Sequence, residues 1–205
     1  MKVLLVNGSP HEKGCTNRAL TEIQNTLREE GVESEILWLG REPLGGCIAC
    51  GGCWHNDRCI YDDILNRSRE KFREADGFIF GTPVHYAAAS GNLTAFMDRL
   101  FYSESKQTFF MKPAAVITSA RRAGTTATMD QINKYFSISQ MPIVSSRYWN
   151  MVHGSTPEQV EEDKEGLWTM RALARNMAYL LKCKQAAAGI ELPQQEKGEA
   201  TNFIR

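Results

Sequence analysis

The strongest constraint in this chain is a set of short, continuous apolar runs separated by helical patterns. Lys2 to Asn7 (KVLLVN), Gly77 to Thr82 (GFIFGT) and Ala114 to Ser119 (AAVITS) lack the alternation of a half-exposed strand. Runs of this kind suit strands buried on both faces, the condition of a parallel sheet covered by helices. Glu35 to Leu39 (EILWL) and Pro142 to Ser146 (PIVSS) read as two further strands. The intervening segments predict helices: from a cap at Thr16 or Asn17 to about Glu30, from Asp62-Asp63 to about Ala75, from Ser90 to Leu100, and from about Thr126 to Phe136. A turn is expected at Pro83. Thr156-Pro157-Glu158 opens a long last helix, with Thr as N-cap and Pro at its first position. Its buried face runs through Leu167, Met170, Ala174, Met177 and Leu181. Five strands alternating with helices, joined by right-handed crossovers, specify a doubly wound α/β fold: a five-stranded parallel sheet with helices on both faces.

Composition narrows the function classes. Lys+Arg and Asp+Glu balance at 24 each, so no global field recruits nucleic acid or an anionic membrane. No apolar run approaches the about 18 residues of a membrane span, and the apolar start turns polar at Asn7, too early for a secretory signal. The expected setting is the cytoplasm. There structural disulfides are rare, so the cysteines are read as metal ligands or redox groups.

In an open α/β sheet ligands collect at the carboxyl ends of the strands. The first strand ends in GSPHEKGCTN, with glycines for tight turns, hydroxyls at Ser9 and Thr16, and a helix N-terminus behind them. That is chemistry for one phosphate monoester. It is neither a G-x-G-x-x-G nor a Walker loop, and by itself it does not separate a phosphate site from an ordinary β–α turn.

Four of the six cysteines fall in CIACGGCWHNDRC, at Cys47, Cys50, Cys53 and Cys59. A structural zinc site usually pairs two C-x2-C knuckles a dozen or more residues apart, and only one compact group exists here. The C-x2-C-x2-C start is the run ferredoxins use for three corners of a [4Fe–4S] cubane, although no Pro follows the last Cys. A cluster, a zinc ion, and thiols that serve redox chemistry or packing remain the three readings of this spacing.

The first loop, together with GTPVHYAAASGNLTAFMDRL at 81–100, resembles the flavodoxin-like NADPH-dependent FMN reductase family, in its iron–sulfur flavoprotein and multimeric flavodoxin branch. The likeness extends through YWN at 148–150 and the terminal TNFIR. It implies one flavodoxin-like FMN-binding domain over 1–205, with a cysteine-rich loop at 42–61 and an extended tail at 187–205 that reaches toward a neighbouring subunit. Carried over residue by residue, Ser9, His11, Cys15, Thr16 and Asn17 hold the FMN phosphate. Pro83, Val84, His85 and Tyr86 line the ring, and Ser119, Arg122 and Gly124, from the SARRAGTT loop, approach it from the other side. His11 stands where many relatives carry Arg, Cys15 where many carry Asn, and His85 where Tyr is common. The compact cysteine motif lies where iron–sulfur flavoproteins carry theirs.

The resemblance implies an oxidoreductase that takes hydride from NAD(P)H and passes electrons to a small acceptor or a redox protein. No protein nucleophile or acid–base triad is needed, so no residue is assigned a catalytic role. A homodimer or homotetramer is expected. Two rivals stay open: an electron-transfer protein loaded by a ferredoxin, and a zinc-stabilised phosphate-binding module. Cys183, between Lys182 and Lys184 on the last helix, is read as packing.

Overall fold

The computed structural model describes residues 1–196 and Gly198. Its elements in chain order are β1 (Lys2–Asn7), α1 (Cys15–Glu29), β2 (Glu33–Trp38), α2 (Gly52–Asn56), α3 (Ile64–Glu74), β3 (Gly77–His85), β4 (Ala88–Ala89) and α4 (Gly91–Ser103). There follow α5 (Lys106–Phe109), β5 (Ala114–Ala120), α6 (Thr125–Ile138), β6 (Met151–His153), α7 (Pro157–Glu162) and α8 (Lys164–Ala186). Five strands form a parallel sheet in the order β2-β1-β3-β5-β6, and the two-residue β4 pairs antiparallel to β3. With β4 set aside this is the 2-1-3-4-5 order of flavodoxin-like sheets.

The continuous apolar runs work as expected. Leu4, Val6, Phe78, Phe80 and Val116 face a core filled by Phe72 of α3, Phe96 of α4 and Phe136 of α6. Val3, Leu5, Ile79 and Ile117 face the opposite core, filled by Leu20 and Ile23 of α1 and Met170 and Met177 of α8. A parallel sheet buried on both faces has no side to leave polar. Helix α1 lies close over β3: a Cβ at Gly81 would stand 2.8 Å from Thr16 Cγ2. That closeness brings the N-terminus of α1 to the carboxyl edge of the sheet.

Several expectations are corrected. The cap of α1 is Gly14, not Thr16 or Asn17, and it makes no side-chain cap bond. Strand β3 continues through Pro83 to His85, and the turn falls at Tyr86 and Ala87, both at positive φ. Pro142–Ser146 is not the fifth strand. It meets β5 at one bridge, Ala114 to Ile143, then leaves the edge, and the chain returns as β6 beside Thr118–Ala120. Asn150 spans the gap, its Nδ2 donating to the Val116 carbonyl at 3.1 Å and its own carbonyl accepting from Thr118 N–H at 2.9 Å. The last helix is two. Thr156 caps α7 as expected, and Asp163 then ends α7 and caps α8, accepting from Gly166 N–H at 2.8 Å. Cys183 is exposed rather than packed. Ala187 closes α8, and the tail is irregular from Glu191 to Glu196; its far end, including TNFIR, lies outside the described residues.

Candidate functional site: a phosphate-sized loop and a cysteine ring

The carboxyl ends of β1, β3 and β5 surround a hollow of about 770 Å³. Its floor is the loop after β1. Asn7 braces it, its Oδ1 accepting from Ser9 N–H at 3.0 Å and its Nδ2 donating to the Glu12 carbonyl at 3.1 Å. Trp38 Nε1 donates to the Ser9 carbonyl at 2.8 Å, tying the loop to β2. Because Gly14 offers no side chain, the first N–H groups of α1 are left for an anion, and no acidic residue occupies the first turn. Ser9 Oγ accepts from His11 N–H at 3.1 Å, so its own proton is available. Thr16 and Ser119 hydroxyls share one hydrogen bond of 2.8 Å, which leaves one donor free between them. Two hydroxyl donors and a run of backbone N–H groups suit one phosphate and need no guanidinium.

One wall is Pro83, Val84 and His85, held out from the sheet by the β3–β4 pairing of Val84 with Ala89 and His85 with Ala88. The turn beyond it has Tyr86 at φ 51° and Ala87 at φ 60°. Gly124, at φ +92°, packs beneath that turn, and a Cβ there would stand 2.9 Å from Ala87 Cα. The opposite wall is Ser119, Ala120 and Arg121, with Gly154 to Pro157 beside Cys15. Cys15 Sγ donates to the Gly154 carbonyl at 3.5 Å. Burial, with the Glu158 carboxylate, pushes its thiol up and keeps it protonated at neutral pH. Arg18 on α1 pairs with Glu22 and with Glu161 on α7, fastening that wall to α1.

Of the residues expected at the flavin, Ser9, His11, Cys15, Thr16, Pro83, Val84, His85 and Ser119 come together on this hollow. Asn17, Tyr86, Arg122 and Gly124 do not line it. Of the adjacent arginines, Arg121 lines the hollow, and Tyr86 is fully exposed at the tip of its turn. The sequence reading missed Asn7, Arg41 and the 154–157 wall. Only Asn7 carried a signal, as the polar residue that ends an otherwise apolar strand.

The cysteine segment forms a second site. Cys53 is the second residue of the short α2, and Cys47 and Cys50 precede that helix in irregular chain. Ala49, Gly51 and Asp57 are the positions at positive φ, so only one of the four glycines in the segment meets a left-handed requirement. Cys47 and Cys50 are exposed, Cys53 and Cys59 half-buried, and all four border one small hollow with Tyr61, Tyr102 and Arg99. Burial pushes the Cys53 thiol up, and the nearby sulfurs of Cys59, Cys50 and Cys47 add to it. Cys59 is fixed by Asn66, whose Oδ1 accepts from its N–H and whose Nδ2 donates to its carbonyl, both at 2.9 Å. Among the described residues no three His, Cys, Asp or Glu side chains gather tightly enough for a metal ion. Burial pushes the Asp63 carboxyl up, but the Arg99 guanidinium and the Leu65 N–H override it and hold the group below its ordinary value.

Sheet order and ligand edge define the class: a flavodoxin-like α/β protein. A flavodoxin from the domain Archaea superposes with a TM-score of 0.61 at 16% identity, over 89% of this chain and 99% of that one. The chain belongs to the NADPH-dependent FMN reductase family, whose profile matches residues 1–156. An iron–sulfur flavoprotein of Methanocaldococcus jannaschii is 31% identical over 193 residues, covering 89% of this chain and 98% of the relative. An iron–sulfur flavoprotein of Methanosarcina thermophila is 28% identical over 189 residues, covering 90% and 97%. The family is one of FMN-binding oxidoreductases with this fold.

Proposed function

We propose that this protein is an FMN-dependent NAD(P)H oxidoreductase that passes electrons to a small acceptor or a redox protein, through a [4Fe–4S] cluster held by Cys47, Cys50, Cys53 and Cys59. The observation that carries the flavin site is the uncapped start of α1 beside the hydroxyls of Ser9, Thr16 and Ser119. FMN, when bound, supplies the acceptance of a hydride and the release of single electrons. This chain's residues bind and orient. The α1 N–H groups and hydroxyls take the phosphate, and Pro83, Val84 and His85 form a rigid wall for a flat ring. Arg121 on the opposite wall supplies a positive charge to the hollow.

For the cluster, the support is four thiols around one hollow, the donor set that iron–sulfur centres take. A single zinc ion holds its sulfurs at about 2.3 Å and draws them close together. The C-x2-C-x2-C spacing of Cys47, Cys50 and Cys53 is the run ferredoxins use for a cubane, and zinc sites more often pair two separate knuckles. The same reading takes residues 1–205 as one FMN-binding unit, cytoplasmic, and assembled as a homodimer or homotetramer. Among the described residues no helix is long and apolar enough to cross a membrane. Ile48, Trp54 and Ile60, which surround the cysteines, are 60%, 68% and 64% exposed, an apolar rim that supports a covered face.

Protein purified without oxygen tests the reading. It should be yellow-brown, release stoichiometric FMN, contain iron and sulfide, and oxidise NAD(P)H in the steady state. A flavin that fills without NAD(P)H turnover would leave an electron carrier loaded by a partner. A colourless protein carrying zinc would sink both.

A further inference from the structure

Arg99, on α4, is the largest fully buried side chain, with 2% of the residue exposed. A guanidinium so placed must spend every donor. Its partners all lie in one stretch of chain. Nη1 and Nη2 donate to the two Asp63 oxygens at 2.7 and 2.8 Å, a bidentate pair. Nη1 also donates to the Gly45 carbonyl at 3.2 Å and Nη2 to the Tyr61 carbonyl at 3.5 Å, while the group lies 5.0 Å over the Tyr61 ring. Nε donates to Cys59 Sγ at 3.3 Å.

Two consequences follow. Gly45 precedes the first cysteine and Tyr61 follows the last, so one side chain clasps both ends of the segment and sets the width of the ring. Cys59 is also unlike its companions. Among the described residues it is the one sulfur of the four that takes a side-chain hydrogen bond, and the donor is a cation. A neutral thiol is a weak acceptor, so an N–H of a buried guanidinium aimed at sulfur is used fully only when that sulfur carries negative charge.

We propose that Arg99 is a positioning residue of the cysteine centre, which holds the Cys59 sulfur in place and raises the reduction potential of the cluster that the four thiolates bind. The inference rests on the cluster reading above. One-electron reduction of such a centre adds one negative charge shared among its sulfurs, with no proton required. A donor to one sulfur stabilises the reduced state more than the oxidised one, and hydrogen bonds to sulfur are among the determinants of such potentials. Arg99→Lys keeps a charge for Asp63 but loses the Nε donor and the fork; Arg99→Gln removes the charge as well.

The test is a reductive titration of anaerobically loaded protein, followed by electron paramagnetic resonance, with iron and sulfide measured on each sample. Arg99→Lys should bind a full complement of iron and shift the reduction equilibrium about tenfold toward the oxidised state, about 59 mV downward for one electron. Arg99→Gln should shift it further. Loaded variants with the wild-type potential overturn the role of Arg99 and leave the cluster reading intact. Wild-type protein without iron and sulfide removes the cluster reading, and this one with it. A measurement on the unaltered chain covers variants that fail to fold. With isotopically labelled arginine, the reduced cluster should show a coupling to guanidinium nitrogen. Its absence overturns the proposal.

Discussion

Single residues carry the two sites unequally. Ser9 and Thr16 were legible because a hydroxyl after a strand, followed by a helix start, has a plain use for an anion. The pairing of Thr16 with Ser119 was not, since 103 positions separate them and only the fold brings them together. That pairing shapes the first prediction. In Ser9→Ala with Thr16→Ala one donor is lost outright, and Ser119, freed of its partner, replaces part of the other. At about 1.5–3 kcal/mol for a hydrogen bond to a charge, FMN affinity should fall about tenfold to a hundredfold by fluorescence titration. Unchanged affinity would remove this loop from the site. Asp63 gives the second prediction. Its carboxyl is held below its ordinary value, so its contribution is fully present above about pH 4 and is lost as pH falls through the lower folded value. Asp63→Asn leaves Arg99 buried without its partner and should cost about 3 kcal/mol or more at neutral pH. Urea unfolding at several pH values should show the gap between variant and wild type closing on the acid side. A gap independent of pH would mean that the pair contributes nothing through its charge.

At the scale of elements, legibility followed burial. β1, β3 and β5 are sandwiched between helices and could be read from their apolar runs; the edge strand β6 could not. Its two contacts with β5 lie at Ile143 and at Met151 to His153, and neither segment is long enough to show a pattern. PIVSS attracted the assignment because Val144 is buried, but Ile143 beside it is 47% exposed. The long last helix was legible except for its break, which a side chain makes. Asp163 Oδ1 accepts from Gly166 N–H at 2.8 Å and Oδ2 from His153 N–H at 2.7 Å, so one carboxylate caps α8 and fastens β6 to it. A Cβ at Gly166 would stand 2.3 Å from Asp163 Oδ2, which is why a small residue follows the cap. Asp163→Ala should therefore cost more than an ordinary cap, about 2 kcal/mol in chemical unfolding. Because β6 leads directly into the Gly154–Pro157 wall, FMN affinity should weaken as well. Loss of stability with full flavin affinity would show that the wall does not touch the cofactor.

Over the whole molecule the two sites are built on different β–α connections. The phosphate loop joins β1 to α1, and the cysteine ring lies between β2 and α3, anchored to α4 by Arg99. The compact spacing marked the cysteine segment as a candidate metal or redox site. It could not reveal the anchor, because a basic residue in the middle of an amphipathic helix ordinarily faces solvent and nothing local marks it as buried. The separation of the sites yields the last prediction. If each thiolate binds one corner of a cubane, Ser at any one of Cys47, Cys50, Cys53 or Cys59 should sharply reduce iron and sulfide. FMN should stay bound in all four variants, because no residue of the phosphate loop contacts the ring by any hydrogen bond among the described residues. Cys59→Ser should fold, since its hydroxyl oxygen replaces the sulfur as the acceptor for Arg99 Nε. Cys15→Ser and Cys183→Ser lie outside the motif and should retain the full metal content. The measurement is iron, sulfide and flavin analysis on anaerobic protein from all six variants. If iron and flavin were lost together, the two centres would share a folding unit that the separate connections do not suggest. If iron survived every substitution, the cysteines would not be its ligands, and electrons would leave the flavin by direct contact with the acceptor.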